Sequence, residues 1–191
     1  MDQVMCLRGR LGLGIGQDRL SAVLIVRGTV RWTKSRARDA DTALGAALSS
    51  LLADCPRPRL FRARVTVAVG PSGVQLKRVS ELPPLTDPRA LAAMAREHAS
   101  RFFLDGGATQ VFSGARIDAP GCIWIAAFQS VTIREIADAC RAAGFPAEAV
   151  VPTAIALRSA IDSSEIVWTD GDVCVAISYN GAELSQVRRT P

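Results

Sequence analysis

The feature that most constrains this chain is a change of hydrophobic period near Asp41. Before it, Leu11–Ile15, Leu20–Val26 and Val30–Thr33 are short apolar runs. Gly16-Gln17-Asp18-Arg19 separates the first two, and Arg27-Gly28 the next two. Such runs, punctuated by turn residues, predict an antiparallel meander. After Asp41, which is placed as an N-cap, Leu44, Leu48, Leu51 and Leu52 recur at helical spacing until Cys55-Pro56 stops them. Val65-Thr-Val-Ala-Val69 then returns to a β-branched run, closed by Gly70-Pro71-Ser72-Gly73. Its near-continuous apolarity predicts a central strand buried on both faces.

A second unit follows. Val74–Val79 reads as a strand leading into Leu82-Pro83-Pro84-Leu85. Asp87-Pro88 supplies an N-cap and a first-turn proline for a helix with Leu91, Ala95, His98 and Phe102 on one face. Gln110–Ala115 and Cys122–Phe128 are strands around the turn Asp118-Ala-Pro-Gly121. Thr132-x-x-Glu135 has the spacing of a capping box, ahead of a helix that Gly144 ends. Pro152 opens a further helix through Ile155, Leu157 and Ile161, and Val173–Tyr179 and Ala182–Val187 flank the hairpin signal Asn180-Gly181. Blocks of βββαβ and βαββα without an internal repeat place the chain in the α/β class. Trp32, Trp124 and Trp168 fall on predicted strands and are expected to pack in the core, with His98 at a core edge.

Composition removes much chemistry. The 191 residues are 49% hydrophobic and 21% charged, which is ordinary globular usage. The longest uncharged run, Ala119 to Ile133, is shorter than the roughly 20 apolar residues of a membrane span. Arg8 and Arg10 interrupt the start where a signal peptide needs its apolar stretch, so a cytoplasmic location is expected. Five cysteines with no C-x-x-C pair, and a single histidine, leave no expected metal site. With Lys34 and Lys77 as the only lysines, neither after a glycine, there is no phosphate-binding P-loop. Gly70-Pro71-Ser72-Gly73 is not a nucleophile elbow either. No catalytic residue is expected. Residues 1–64 hold 12 Lys and Arg against 5 Asp and Glu, a basic excess that fits an acidic partner, an anionic surface or a solvated face.

The element order resembles the first lobe of the actin-like fold (ribonuclease H-like) carrying an inserted βαββα subdomain, followed by a C-terminal hairpin. Gly12-Leu-Gly-Ile-Gly16 with Leu20-Ser-Ala-Val-Leu24 resembles the opening strand pair of that superfamily. Arg78-Val-Ser-Glu-Leu-Pro-Pro-Leu85 resembles the entry into the inserted subdomain of the pilus assembly protein PilM and its relatives. Ile123–Phe128, Arg141–Pro146 and Val150–Leu157 are similar to later segments of that family and of the GspL cytoplasmic domain. The resemblance implies a core of residues 1–70 with 144–165, an inserted unit at 71–143, and a hairpin at 166–191 that would open a second lobe. It implies a non-catalytic scaffold, cytoplasmic and peripheral to the inner membrane, in a type IV pilus or type II secretion assembly platform. Its partners would be a membrane protein's cytoplasmic tail and an assembly ATPase, with no cofactor.

The departures point the same way. In actin-like ATPases the first hairpin carries an aspartate that positions Mg²⁺ and water; here that position is Gly14. Gly14, Gly16, Asp170 and Gly171 are expected as vestiges of the two phosphate loops, with Asp170 and Asp172 on a solvated turn. Two alternatives stay open. One is a truncated actin-like ATPase or sugar-kinase half. The other is a basic nucleic-acid-binding module of the ribonuclease H-like group. Pro- and Gly-rich seams at 70–73 and 144–146 predict a cleft, and Arg78, Glu81 and Leu82 are placed on its rim as partner-binding residues.

Overall fold

The computed structural model describes residues 9–39, 41–57, 63–80, 87–98, 101, 103, 110–119, 122–158, 163–181 and 183–190. β1 (Gly9–Ile15) runs antiparallel to β2 (Arg19–Val26), with Leu11 opposite Leu24, and β2 pairs in turn with β3 (Thr29–Ala37). β4 (Arg64–Val69) joins the other side of β1 in parallel, and β8 (Ala147–Pro152) extends β4, also in parallel. The result is a five-stranded sheet of order β3-β2-β1-β4-β8.

One face of this sheet is sealed. Leu11, Leu13, Ile15, Leu20, Ala22, Leu24, Val65, Val67 and Val69 are all buried beneath α1 (Leu44–Leu52) and α3 (Ser130–Ala142). The other face carries Gly12, Gly14, Ser21 and Thr66. β4 is therefore buried on one face only: Thr66 is exposed and Ala68 half-buried, which corrects the two-sided reading of its apolar run.

Two expected caps are absent. α1 starts at Leu44 with Ala43 at the N-cap, so Asp41 lies outside the helix and its N–H donates to Asp39 instead. α3 starts at Ser130, because β7 runs straight into it through Gln129. Thr132 thus sits inside the first turn and no capping box forms. The cap of α2 (Pro88–Glu97) is present: the Asp87 side chain accepts from the Arg89 N–H at 3.0 Å. α3 ends as the sequence predicts, with Gly144 at φ 83° and the Phe145 N–H bonded back to the Cys140 carbonyl at 2.8 Å. α4 is a single turn, Thr153–Leu157, and Ile161 lies outside the described residues. His98 ends α2, half-buried.

Two smaller sheets complete the fold. β5 (Val74–Val79), β7 (Cys122–Gln129) and β6 (Gln110–Ala119) form an antiparallel sheet of order β5-β7-β6. Ile123, Ile125 and Ala127 of β7 pack with Phe103, Val79 and the α2 residue Met94. Ala126 and Phe128, on the opposite face, enter the main core. The C-terminal element is a three-stranded sheet rather than a hairpin: β9 (Glu165–Asp170) adds to β10 (Val173–Asn180) and β11 (Glu183–Thr190). Asn180 is the last residue of β10 and Gly181, at φ 57°, makes the turn. This sheet meets the rest through Trp124, whose Nε1 donates to the Leu184 carbonyl at 2.8 Å, and Tyr179, whose hydroxyl donates to the Ala154 carbonyl at 2.7 Å. Trp32 and Trp168 are half-buried at core edges.

Candidate functional site

Three turns converge on one carboxylate. Asp170, the last residue of β9, is 6% exposed. Its Oδ1 accepts from the Gln17 N–H at 2.6 Å. Its Oδ2 accepts from the Ser72 N–H at 3.2 Å and the Ser72 hydroxyl at 2.5 Å. Gln17 sits in the β1–β2 turn, which is closed by the Gly16 N–H on the Arg19 carbonyl at 2.9 Å. Ser72 sits in the turn after β4, pinned by the Gly70 N–H on the Ile15 carbonyl at 2.7 Å.

The glycines make room for this contact. A Cβ on Gly16 would stand 2.6 Å from Asp170 Oδ1, and one on Gly70 would collide with Oδ2. Gly171 adopts φ 59°, a left-handed turn conformation that lets the chain double back against Gln17. The structure therefore brings Gly16, Asp170 and Gly171 together, with Gly14 beside them on β1. Asp170 is not on a solvated turn; Asp172 remains exposed. Turn amides and a hydroxyl that converge in this way make an anion cradle. Here the anion is the protein's own side chain, and the residues do not fit a nucleotide phosphate with its metal: Gly14 supplies no carboxylate and Asp170 already fills the cradle. Among the described residues, no group of three or more His, Cys, Asp and Glu could hold a metal ion.

Cavities flank the cradle on both sides. One of 530 Å³ opens over the uncovered sheet face, between Gly14, Ser21, Arg19, Thr153 and Trp168. A groove of 340 Å³ runs between β5 and the C-terminal sheet, lined by Val74, Leu76, Lys77, Ala154, Val187 and Arg189. A third cavity, of 480 Å³, lies at the seam where Gly73 meets Gln17, Arg38, Gln129, Glu135 and Arg189. β5 is an edge strand, paired on one side only. Arg78 is exposed on β5, opposite Trp124 in register; Glu81 and Leu82 lie outside the described residues. Gln17, Ser72 and Arg189 escape the sequence reading, and Arg38 enters it only as part of the basic excess of residues 1–64. Ser72 carried a signal, since it sits inside the seam motif, whereas Arg38 and Arg189 are ordinary surface arginines in sequence.

The two buried thiols are poor nucleophiles near neutral pH. Burial pushes Cys55 and Cys140 up to about 11, so neither is a thiolate near neutral pH. On the basic edge, Lys34 hydrogen-bonds and pairs with Asp54 and holds its carboxyl below the usual carboxylate range.

The chain matches no protein-family model and no curated protein. Solved structures do match. The cytoplasmic domain of EpsL, an inner-membrane component of the type II secretion system of Vibrio cholerae, superposes with a TM-score of 0.67 at 14% identity, over 95% of this chain and 71% of that one. A chain of the PilM–PilN type IV pilus biogenesis complex gives 0.67 at 16% identity, over 94% of this chain and 60% of that one. A Bacteroides thetaiotaomicron protein with an actin-like ATPase fold and unknown function gives 0.61 at 11% identity, over 100% of this chain and 72% of that one. No helix among the described residues is long and apolar enough to cross a membrane. The sheet order, the inserted three-stranded unit and these superpositions together establish that this chain has the actin-like fold, in the form it shares with the EpsL cytoplasmic domain and the PilM–PilN complex.

Proposed function

We propose that this protein is a non-catalytic scaffold of a bacterial inner-membrane assembly platform, of the type IV pilus or type II secretion kind. It works on the cytoplasmic side and binds a cytoplasmic segment of a membrane partner; an assembly ATPase is a second partner in the same reading. The observation that carries it is the Asp170 contact: the amides that would meet a phosphate already hold a carboxylate. What stays open instead is the apolar groove beside the free edge of β5. An extended segment adding to that edge would bond to the backbone and set alternate side chains into the groove. Arg78, Glu81 and Leu82 are the residues we propose for contact with that segment.

The full chain is tested by pull-down against the cytoplasmic tails of platform membrane proteins. At least one tail should bind, and Leu82→Asp should weaken it while leaving the thermal midpoint nearly unchanged. Uniform absence of binding removes the scaffold reading, and a collapse of stability would remove Leu82 from the proposed contact residues. Calorimetry with Mg-ATP should give no binding heat. Micromolar binding would restore an ATPase-like reading.

A further inference from the structure

We infer that the seam cavity receives a carboxylate from the partner's extended segment, gripped by Arg38 and Arg189. The inference rests on the scaffold reading and specifies the chemistry of the segment. Arg38 follows β3, its backbone N–H donates to the Asp18 carbonyl at 2.7 Å, and the residue lines the cavity. Its Nε is buried with no hydrogen-bond partner. A guanidinium keeps its charge at any physiological pH, so Arg38 holds a permanent positive charge at the cavity wall. Arg189 reaches the same cavity from the far end of the chain, on β11.

The local charge is unbalanced. Among the described residues, Glu135 is the only carboxylate lining the cavity, and neither arginine lies within 4.0 Å of a carboxylate. The Ser72 hydroxyl and the Gln17 N–H, which would otherwise serve an incoming anion, are committed to Asp170. The two guanidiniums are the charged donors that remain beside the neutral side chains of Gln75, Gln129 and Thr132, and paired N–H groups suit a carboxylate's two oxygens.

Continuity decides what carries the carboxylate. Val69, Pro71, Val74, Gln75 and Arg189 line both the seam cavity and the apolar groove. Arg189 stands at the junction of the two. A segment laid along the edge of β5 would therefore place apolar side chains in the groove and an Asp or Glu in the seam. The 480 Å³ of the seam cavity and its apolar floor of Ile15, Leu44 and Val69 suit a side chain better than a free phosphate.

The test uses the full chain and fluorescein-labelled ten-residue peptides of alternating apolar residues and serine. Each serine in turn is replaced by Glu, Gln or Lys, and binding is read by fluorescence anisotropy. At one position Glu should bind at least tenfold more tightly than Gln, with Lys weakest. Arg38→Gln should erase that preference while the Gln peptide binds as before; Arg189→Gln should reduce it. Should Arg38→Gln fail to fold, Arg189→Gln, on an exposed strand position, carries the test. Equal affinity for Glu and Gln at every position overturns the inference, as does a preference that survives both substitutions. The scaffold reading survives either result, because it is judged by the tail pull-down. Absence of any peptide binding overturns the inference too. So does tighter binding of inorganic phosphate than of the best Glu peptide, which would make the seam a phosphate site.

Discussion

The five-stranded sheet and the C-terminal three-stranded sheet are held by different means. The large sheet has one face sealed by α1 and α3, and its core includes Leu48, Leu51, Val65, Val67 and Ile136 at 0% exposure. Apolar burial of that extent is non-directional and tolerates local adjustment. The small sheet packs Val175, Ile177 and Leu184 against Trp124, Ala154, Leu76 and Leu157 of the rest, and three directional contacts register it there: Asp170 in its cradle, Trp124 on the Leu184 carbonyl, and Tyr179 on the Ala154 carbonyl. The difference teaches that stability and placement are separable here. The first draws mainly on the large sheet's core, and the second on a smaller apolar boundary that a few polar fasteners register.

Substitutions on the two sides should break or sharpen this contrast. The largest effect is expected from Leu48→Ala, which opens a cavity in the sealed core and should lower unfolding free energy by about 2–5 kcal/mol, read from the urea midpoint. Asp170→Ala removes three hydrogen bonds and strands the Gln17 and Ser72 donors. It should cost about 2–3 kcal/mol and raise amide hydrogen exchange in β9 and β10 while leaving α1 protected. If α1 opened by the same factor, the two sheets would be one cooperative unit and the contrast would fail. Tyr179→Phe keeps the ring and removes only the hydroxyl bond, so a loss of about 1 kcal/mol is expected.

The smallest effect at neutral pH belongs to the cysteines. Among the three described thiols, Cys174, half-buried on β10, should be alkylated first, with Cys55 and Cys140 silent in the native state. Burial raises both buried thiols from 9.0 to about 11, so folding favours their neutral form. Their contribution to stability is complete below about pH 9 and is lost as pH rises through about 11. Replacing Cys140 with Ala should flatten that alkaline limb of the stability curve. An unchanged limb would mean that other groups govern it.

Much of the fold was legible because local chemistry and tertiary context agree. Asp87-Pro88 caps α2, Gly144 ends α3, and the meander registers as its turns predict. β8 was hidden: Ala147–Pro152 is short, carries Glu148 and ends in proline, a composition that only an edge strand accepts. The cap at Asp41 failed because a plausible capping residue says nothing about where the backbone actually enters the helix. At the site, the glycines announced close backbone approach but not what approaches. The bonds from Gln17 and Ser72 to Asp170 span 153 and 98 positions, and no local pattern encodes a partner at that distance. For the same reason Arg189 was invisible, and Arg38 showed only as part of the basic excess of residues 1–64.

The pairing of β4 with β8 also dictates an order of events during synthesis. β1, β2, β3, α1 and β4 can assemble once residue 69 has emerged, but the helix that closes their core is α3, and the strand that completes their sheet is β8. Both are translated only after the whole β5–α2–β6–β7 stretch. A nascent chain on the ribosome therefore waits with Leu48, Val65 and Val67 uncovered while the intervening segment emerges, and non-local pairing of this kind is slow to form. That interval, rather than the finished molecule, is where a chaperone would find its binding sequence.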